Sequence, residues 1–202
     1  MVNLINIGLG NIKSVENWVN QCGHECKLID KPMHMDNSTI LIPGMCNSYS
    51  LMKGLLKNNF IHDIKSRAKD GQRIIGICAG MQVLGDIINE DEGCEGIGIL
   101  PFESIGFAKK SNFTLINNGW INVKLPQMND LFSSKINVES RYYFNHQFYI
   151  PAKYNTVFDH NSTSKIFSEK IVSFFREKNV IGMQFHPEKS QEAGFLLGNE
   201  LL

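Results

Sequence analysis

The chain has 202 residues, 43% apolar and 20% charged, which is material for one globular domain over residues 1–202 with a substantial core. Twenty basic and twenty acidic side chains cancel, so no nucleic-acid or anionic-membrane partner is expected. The apolar runs are far too short to span a bilayer, and M-V-N-L-I-N-I-G lacks the basic region and cleavage site of a secretory signal.

In chain order, residues 4–7 read as a first strand ending in G-L-G-N. Ile12, Val15, Val19 and Cys22 then recur at helical spacing, stopping before Gly23. Residues 25–29 and 39–42 give two more strands, the latter closed by Pro43-Gly44. Leu51, Leu55, Ile61, Ile64 and Ala68 line one face of a second helix ending at Gly71. Residues 74–77 form a fourth strand, and Met81, Leu84, Ile87 and Ile88 mark a third helix. After Gly98 come short β-like runs at 113–116, 120–125, 141–144, 171–175 and 180–184, then a closing helix from Gln191. Strands alternating with helices predict an α/β fold. Its central sheet is mostly parallel, with helices on both faces and additional antiparallel strands late in the chain.

Five cysteines (Cys22, Cys26, Cys46, Cys78, Cys94) at irregular spacing, with no C-x-x-C pair, fit neither a disulfide framework nor a zinc site. A reducing cytoplasm is the expected location. The histidines show no metal-ligand spacing, and G-L-G-N matches neither dinucleotide nor P-loop patterns, so no metal and no cofactor is expected.

Chemistry concentrates in R-I-I-G-I-C-A-G-M-Q, residues 73–82, and Q-F-H-P-E-K-S, residues 184–190. Cys78 falls on a strand-to-helix turn at the carboxyl edge of the sheet, where function gathers in open α/β folds. Gly76 and Gly80 allow close backbone packing there. Backbone N–H groups from Ala79 onward would favour a thiolate and bind an oxyanion. Taken alone, G-I-C-A-G fits a buried structural cysteine equally well, and His186 alone reads as a surface or core residue. Together with Glu188 they make a set: a thiol nucleophile, a base, and a carboxylate that orients it. Backbone donors in P-G-M-C-N-S after the third strand suit an oxyanion hole, although spacing alone favours an ordinary turn.

These residues resemble the class I (triad) glutamine amidotransferases, and more closely the glutaminase subunit of imidazole glycerol phosphate synthase. G-L-G-N, P-G at 43–44, G-I-C-A-G-M-Q at 76–82, E-G-I-G-I-L-P at 95–101, G-W at 119–120, the stretch 142–146 and G-M-Q-F-H-P-E-K-S-Q-E-A-G at 182–194 fall in the family's order, over essentially the whole length. The resemblance implies a flavodoxin-like glutaminase that hydrolyses glutamine to glutamate and ammonia through a thioester on Cys78. His186 and Glu188 complete the triad, and the oxyanion is held by backbone at Gly44, Met45 and Ala79. It further implies that Gln82 and Glu95 bind substrate, and that Lys189, Tyr142 and His146 lie near a partner interface and ammonia exit. The implied partner is a (β/α)8-barrel cyclase, in a heterodimer, that receives ammonia and makes imidazole glycerol phosphate and AICAR in histidine biosynthesis.

Several family positions are altered: N-I-G at 6–8 replaces D-Y-G, Cys46 replaces a glycine of the oxyanion loop, Ile121 replaces an asparagine, and H-Q-F at 146–148 replaces H-S-Y. They leave open a paralogue that feeds ammonia to another synthase, such as one amidating a cell-surface sugar. A γ-glutamyl peptidase and a non-catalytic subunit also stay open.

Overall fold

The computed structural model of the chain describes residues 1–107, 115–128, 132 and 139–202. Residues 113–114 of the strand expected at 113–116 therefore lie outside the described residues, and 115–116 belong to no strand.

The first half is built of strand–helix units. It comprises β1 (Val2–Ile5), α1 (Ile12–Gln21), β2 (Cys26–Ile29), β3 (Thr39–Ile42), α2 (Ser48–Lys57), α3 (Phe60–Lys69), β4 (Ile74–Ile77) and the single turn α4 (Ala79–Gln82). Short strands β5 (Ile87–Ile88), β6 (Cys94–Glu95) and β7 (Glu103–Gly106) follow. Then come β8 (Asn117–Lys124), β9 (Glu139–His146), β10 (Phe148–Tyr149), β11 (His160–Ile166), β12 (Glu169–Glu177), β13 (Val180–Met183) and α5 (Gln191–Leu201).

The main sheet has the order β11-β12-β13-β4-β3-β1-β2. Pairs from β2 to β13 are parallel, and β13–β12 and β12–β11 are antiparallel. Side chains alternate across it: Leu41, Ile75 and Ile77 enter one core cluster with Trp18 and Phe185, while Ile40, Ile42 and Ile74 enter another with Leu51 and Phe60. A sheet buried on both faces reads as continuous Ile and Leu runs, which is why residues 39–42 and 74–77 were legible as strands. Asn11 and Asn47 cap α1 and α2, each side-chain oxygen accepting an N–H three residues on.

Two expected helices are corrected. The helix over 51–68 is two helices, because Asn59 takes a left-handed φ of 60° between α2 and α3, a conformation asparagine tolerates. The helix through Ile88 stops at Gln82. At Gly85 a Cβ would collide with Phe102, and Ile87 and Ile88 pair instead with Glu103 and Ser104 on one side and with Glu95 and Cys94 on the other. Strand pairing there overrides a helical period. Among the described residues no helix is long and apolar enough to cross a membrane.

Candidate active site

Cys78 joins β4 to α4 with φ 52° and ψ −111°, a backbone that a residue with a Cβ adopts only when its surroundings hold it. The hold is visible. Its N–H donates to Met183 O at 2.7 Å, and its carbonyl accepts from Met81 and Gln82 at 3.0 and 3.1 Å. Added Cβ atoms at Gly76 and Gly80 would strike Gly80 O and Ile42 O respectively, so both glycines are required by close approach. The thiol is buried, 3.7 Å from Asn145 O and 3.6 Å from Gln184 Nε2.

His186 follows β13 by three residues and has no exposed surface. Its Nδ1 shares a 2.8 Å hydrogen bond with Glu188 Oε1, which assigns the proton to Nδ1 and leaves Nε2 as the basic nitrogen. That Nε2 makes no hydrogen bond of ordinary length, yet Cys78 is near enough for its charge to act on the ring. Burial alone would lower the imidazole pKa; the Cys78 charge, and after it the Glu188 carboxylate, outweigh burial and raise it above the usual histidine range.

The loop after β3 lies against this turn. Ala79 N–H donates to Gly44 O at 3.4 Å, so the donor expected at the oxyanion position is engaged by a carbonyl. A Cβ on Gly44 would collide with Ile77 O and Ala79 N, and one on Gly10 would come within 3.3 Å of Met45 O; G-L-G-N therefore packs behind the loop. Burial, followed by the charges of Cys78 and Glu90, pushes the Cys46 thiol up to about 12. A cavity of about 730 Å³ opens beside the loop, lined by Cys46, Asn47, Glu90, Asn145, His146 and Phe148 among others. Glu90 also accepts Ser48 N–H at 2.7 Å and Ser48 Oγ at 2.5 Å, a carboxylate on the first turn of α2, where the helix dipole favours it.

The remaining sequence candidates are placed differently from one another. Gln82 is beside the turn, but its amide is buried, donating to Phe148 O at 2.7 Å and Gln184 Oε1 at 3.1 Å. Glu95 is exposed on β6 and lines another cavity with Tyr49 and Lys53. The carboxylate beside Cys46 is Glu90, which follows β5, a segment whose helical spacing of apolar residues hides it in the sequence. Tyr142 points into the core, stacked on Phe185 at 4.1 Å; alternation along β9 turns its neighbour Tyr143 outward, with exposed Trp120 at 5.9 Å. His146 is buried on the cavity wall, held by Phe148 O at 2.8 Å and Asn117 Nδ2 at 3.0 Å. Lys189 is half-buried on the turn after His186. Gln184, Ser190 and Asn145 were not singled out from the sequence. The one local signal that could have flagged any of them is the period-two spacing of Gln184 from His186 at the end of β13.

Residues 3–124 match the CobB/CobQ-like glutamine amidotransferase domain, which defines the chain as an enzyme of the glutamine amidotransferase class. Imidazole glycerol phosphate synthase subunit HisH of Buchnera aphidicola subsp. Schizaphis graminum is 30% identical, over 95% of this chain and 93% of that protein. Subunit HisH 2 of Pseudomonas aeruginosa is 30% identical over 98% and 96%. At that identity across both full lengths, the chain belongs to the family of these HisH subunits. Solved structures agree on the fold. A glutamine amidotransferase superposes with TM-score 0.68 at 15% identity, covering 98% of each chain. PurLQS from Thermotoga maritima superposes with TM-score 0.70 at 17% identity, covering 99% of this chain and 94% of that one.

Proposed function

We propose that this chain is the glutaminase subunit that supplies ammonia to a (β/α)8-barrel imidazole glycerol phosphate synthase cyclase in histidine biosynthesis. The reading is carried by one observation: a cysteine held on a strained turn beside a histidine whose far nitrogen is fixed by a buried glutamate. Full-length relatives named HisH support the pathway and the partner.

Glutamine enters the cavity beside Cys46, with its side-chain amide toward Cys78. Cys78 Sγ attacks the amide carbon as His186 Nε2 takes the thiol proton, and the oxygen becomes an oxyanion. Ala79 N–H is then needed by that oxygen, so the Gly44 carbonyl must turn away first. His186 gives its proton to the departing nitrogen, and ammonia leaves. Water, losing a proton to His186, opens the thioester and releases glutamate. In this reading Glu90 faces the substrate's charged end, and Gln82 acts from behind the nucleophile. Lys189 and the outward face of β8–β9 lie toward the partner.

The test is glutamate release from glutamine by the purified chain, alone and with the cyclase of the same organism plus its nucleotide substrate. Strong stimulation is expected. Cleavage without stimulation would move the chain to a different ammonia-accepting synthase.

A further inference from the structure

Three side chains at the carboxyl ends of β4 and β13 form a connected line. β13 runs parallel to β4 with Met183 opposite Ile77, so the next residues, Gln184 and Cys78, emerge side by side. Gln184 is fully buried, and its Nε2 lies 3.6 Å from Cys78 Sγ. Which end of that amide meets the sulfur is decided by Gln82, one helical turn after Cys78. Gln82 Nε2 donates to Phe148 O at 2.7 Å and to Gln184 Oε1 at 3.1 Å. A backbone carbonyl only accepts, so Gln82 must turn its NH2 group there. The second proton of that group meets the Gln184 oxygen, which leaves only the Gln184 NH2 to face the thiol. Flipping either amide would set like against like in a buried site, which is costly.

We propose that Gln184 is a further catalytic residue: its amide N–H, aimed by Gln82, stabilises the Cys78 thiolate as it attacks and again as it leaves the thioester. The inference rests on Cys78 being the nucleophile. Its opposite is also built in, because Asn145 O, at 3.7 Å, accepts from the thiol S–H and favours the neutral form. The proton that leaves sulfur goes to His186 Nε2, so the step is a transfer within the site with no net change. The titratable groups around the sulfur are His186, with Glu188 behind it, from the turn after β13, and Cys46 from the loop after β3. α4 is a single turn, so a helix dipole adds little here, and a directed amide donor matters more.

The experiment follows the rate of Cys78 alkylation by iodoacetamide against pH, read at the Cys78 peptide by mass spectrometry. It is run on the full chain and on Gln184→Met, a substitution of similar volume. The midpoint is expected to rise by about one pH unit, with roughly tenfold slower alkylation at neutral pH. Gln82→Met leaves Gln184 in place but frees its amide to turn, and should shift the midpoint the same way by less. It decides the matter alone if Gln184→Met does not fold. Unchanged midpoints in the folded variants overturn the proposal. The parent reading fails differently: the unaltered chain, with its cyclase present, would then resist labelling at Cys78 by a glutamine-analogue diazoketone.

Discussion

The backbone N–H of His186 donates to the carbonyl of Tyr143 at 2.8 Å. The same tyrosine returns its own N–H to Ser190 Oγ at 3.0 Å, and that hydroxyl donates to the His186 carbonyl at 2.6 Å. The turn carrying the histidine is thus fastened on both sides to one residue of β9. Tyr143 also reaches outward, its phenol donating to Asn118 Oδ1 at 2.8 Å beside exposed Trp120. Any shift of the β8–β9 pair is therefore a shift of the His186 imidazole, which would link the surface proposed to face the partner to the proposed chemistry.

Ser190→Ala tests that clasp. The hydroxyl is fully buried and serves two backbone groups, so its removal leaves the Tyr143 N–H unpaired and the His186 carbonyl with the Lys189 N–H alone. A loss of about 1–3 kcal/mol in urea unfolding is expected, together with weaker glutaminase turnover at unchanged glutamine affinity. Unaltered stability and turnover would show that the clasp holds nothing.

Cys78→Ala separates the two halves of the reaction. On the proposed reading, glutamine-dependent synthesis by the complex should vanish, while synthesis from added ammonium salt should continue, because the acceptor chemistry would belong to the partner. Loss of both activities with the complex still assembled would undo the split-site reading.

The parallel half of the sheet was open to sequence reading because strands covered on both faces are apolar along their length, and residues 40–42 and 74–77 are so. The proposed set Cys78, His186 and Glu188 stood out because each member has a position-specific context: glycines about Cys78, and Pro187 between His186 and Glu188. The rest lay in pairings that local pattern does not carry. Ile87 and Ile88 fit a helical period until Phe102 and Glu103 arrive beside them, and with that pair hidden, Glu90 could not be placed. Tyr142 and Tyr143 are equivalent in sequence; the register of β8 with β9, Trp120 opposite Tyr143, decides which faces out. Gln184 looks like any polar residue before His186 until the register of β4 with β13 sets it beside Cys78.

Cys46→Gly addresses the oxyanion loop. Cys46 is not among the residues with positive φ, so it is unstrained while Gly44 O holds Ala79 N–H. If releasing that carbonyl carries residue 46 into the left-handed region, a side chain there costs about 1–2 kcal/mol. Glycine should then raise partner-free glutamate release about 5- to 30-fold, with a smaller effect when the cyclase is bound. An equal rate in both chains would mean that the rearrangement does not pass through a left-handed residue 46.

His146 sets a pH dependence of stability. Burial, and more weakly the charge of His186, holds its pKa down at about 4, against the raising effect of its bond to Phe148 O. The ring is therefore neutral in the folded chain at ordinary pH, its Nδ1–H donating to Phe148 O and its Nε2 accepting from Asn117. An unfolded histidine titrates near 6.5. Between pH 6.5 and about 4 the unfolded chain binds a proton that the folded chain refuses, so stability falls with falling pH across that window. The contribution is complete above pH 6.5, and roughly 3 kcal/mol has been lost once pH has dropped through 4. Urea unfolding at pH 7.5 and 4.5 should show a smaller drop for His146→Asn than for the unaltered chain, the carboxylates common to both cancelling in the comparison. Identical drops would mean that His146 takes up its proton without leaving its place between Asn117 and Phe148.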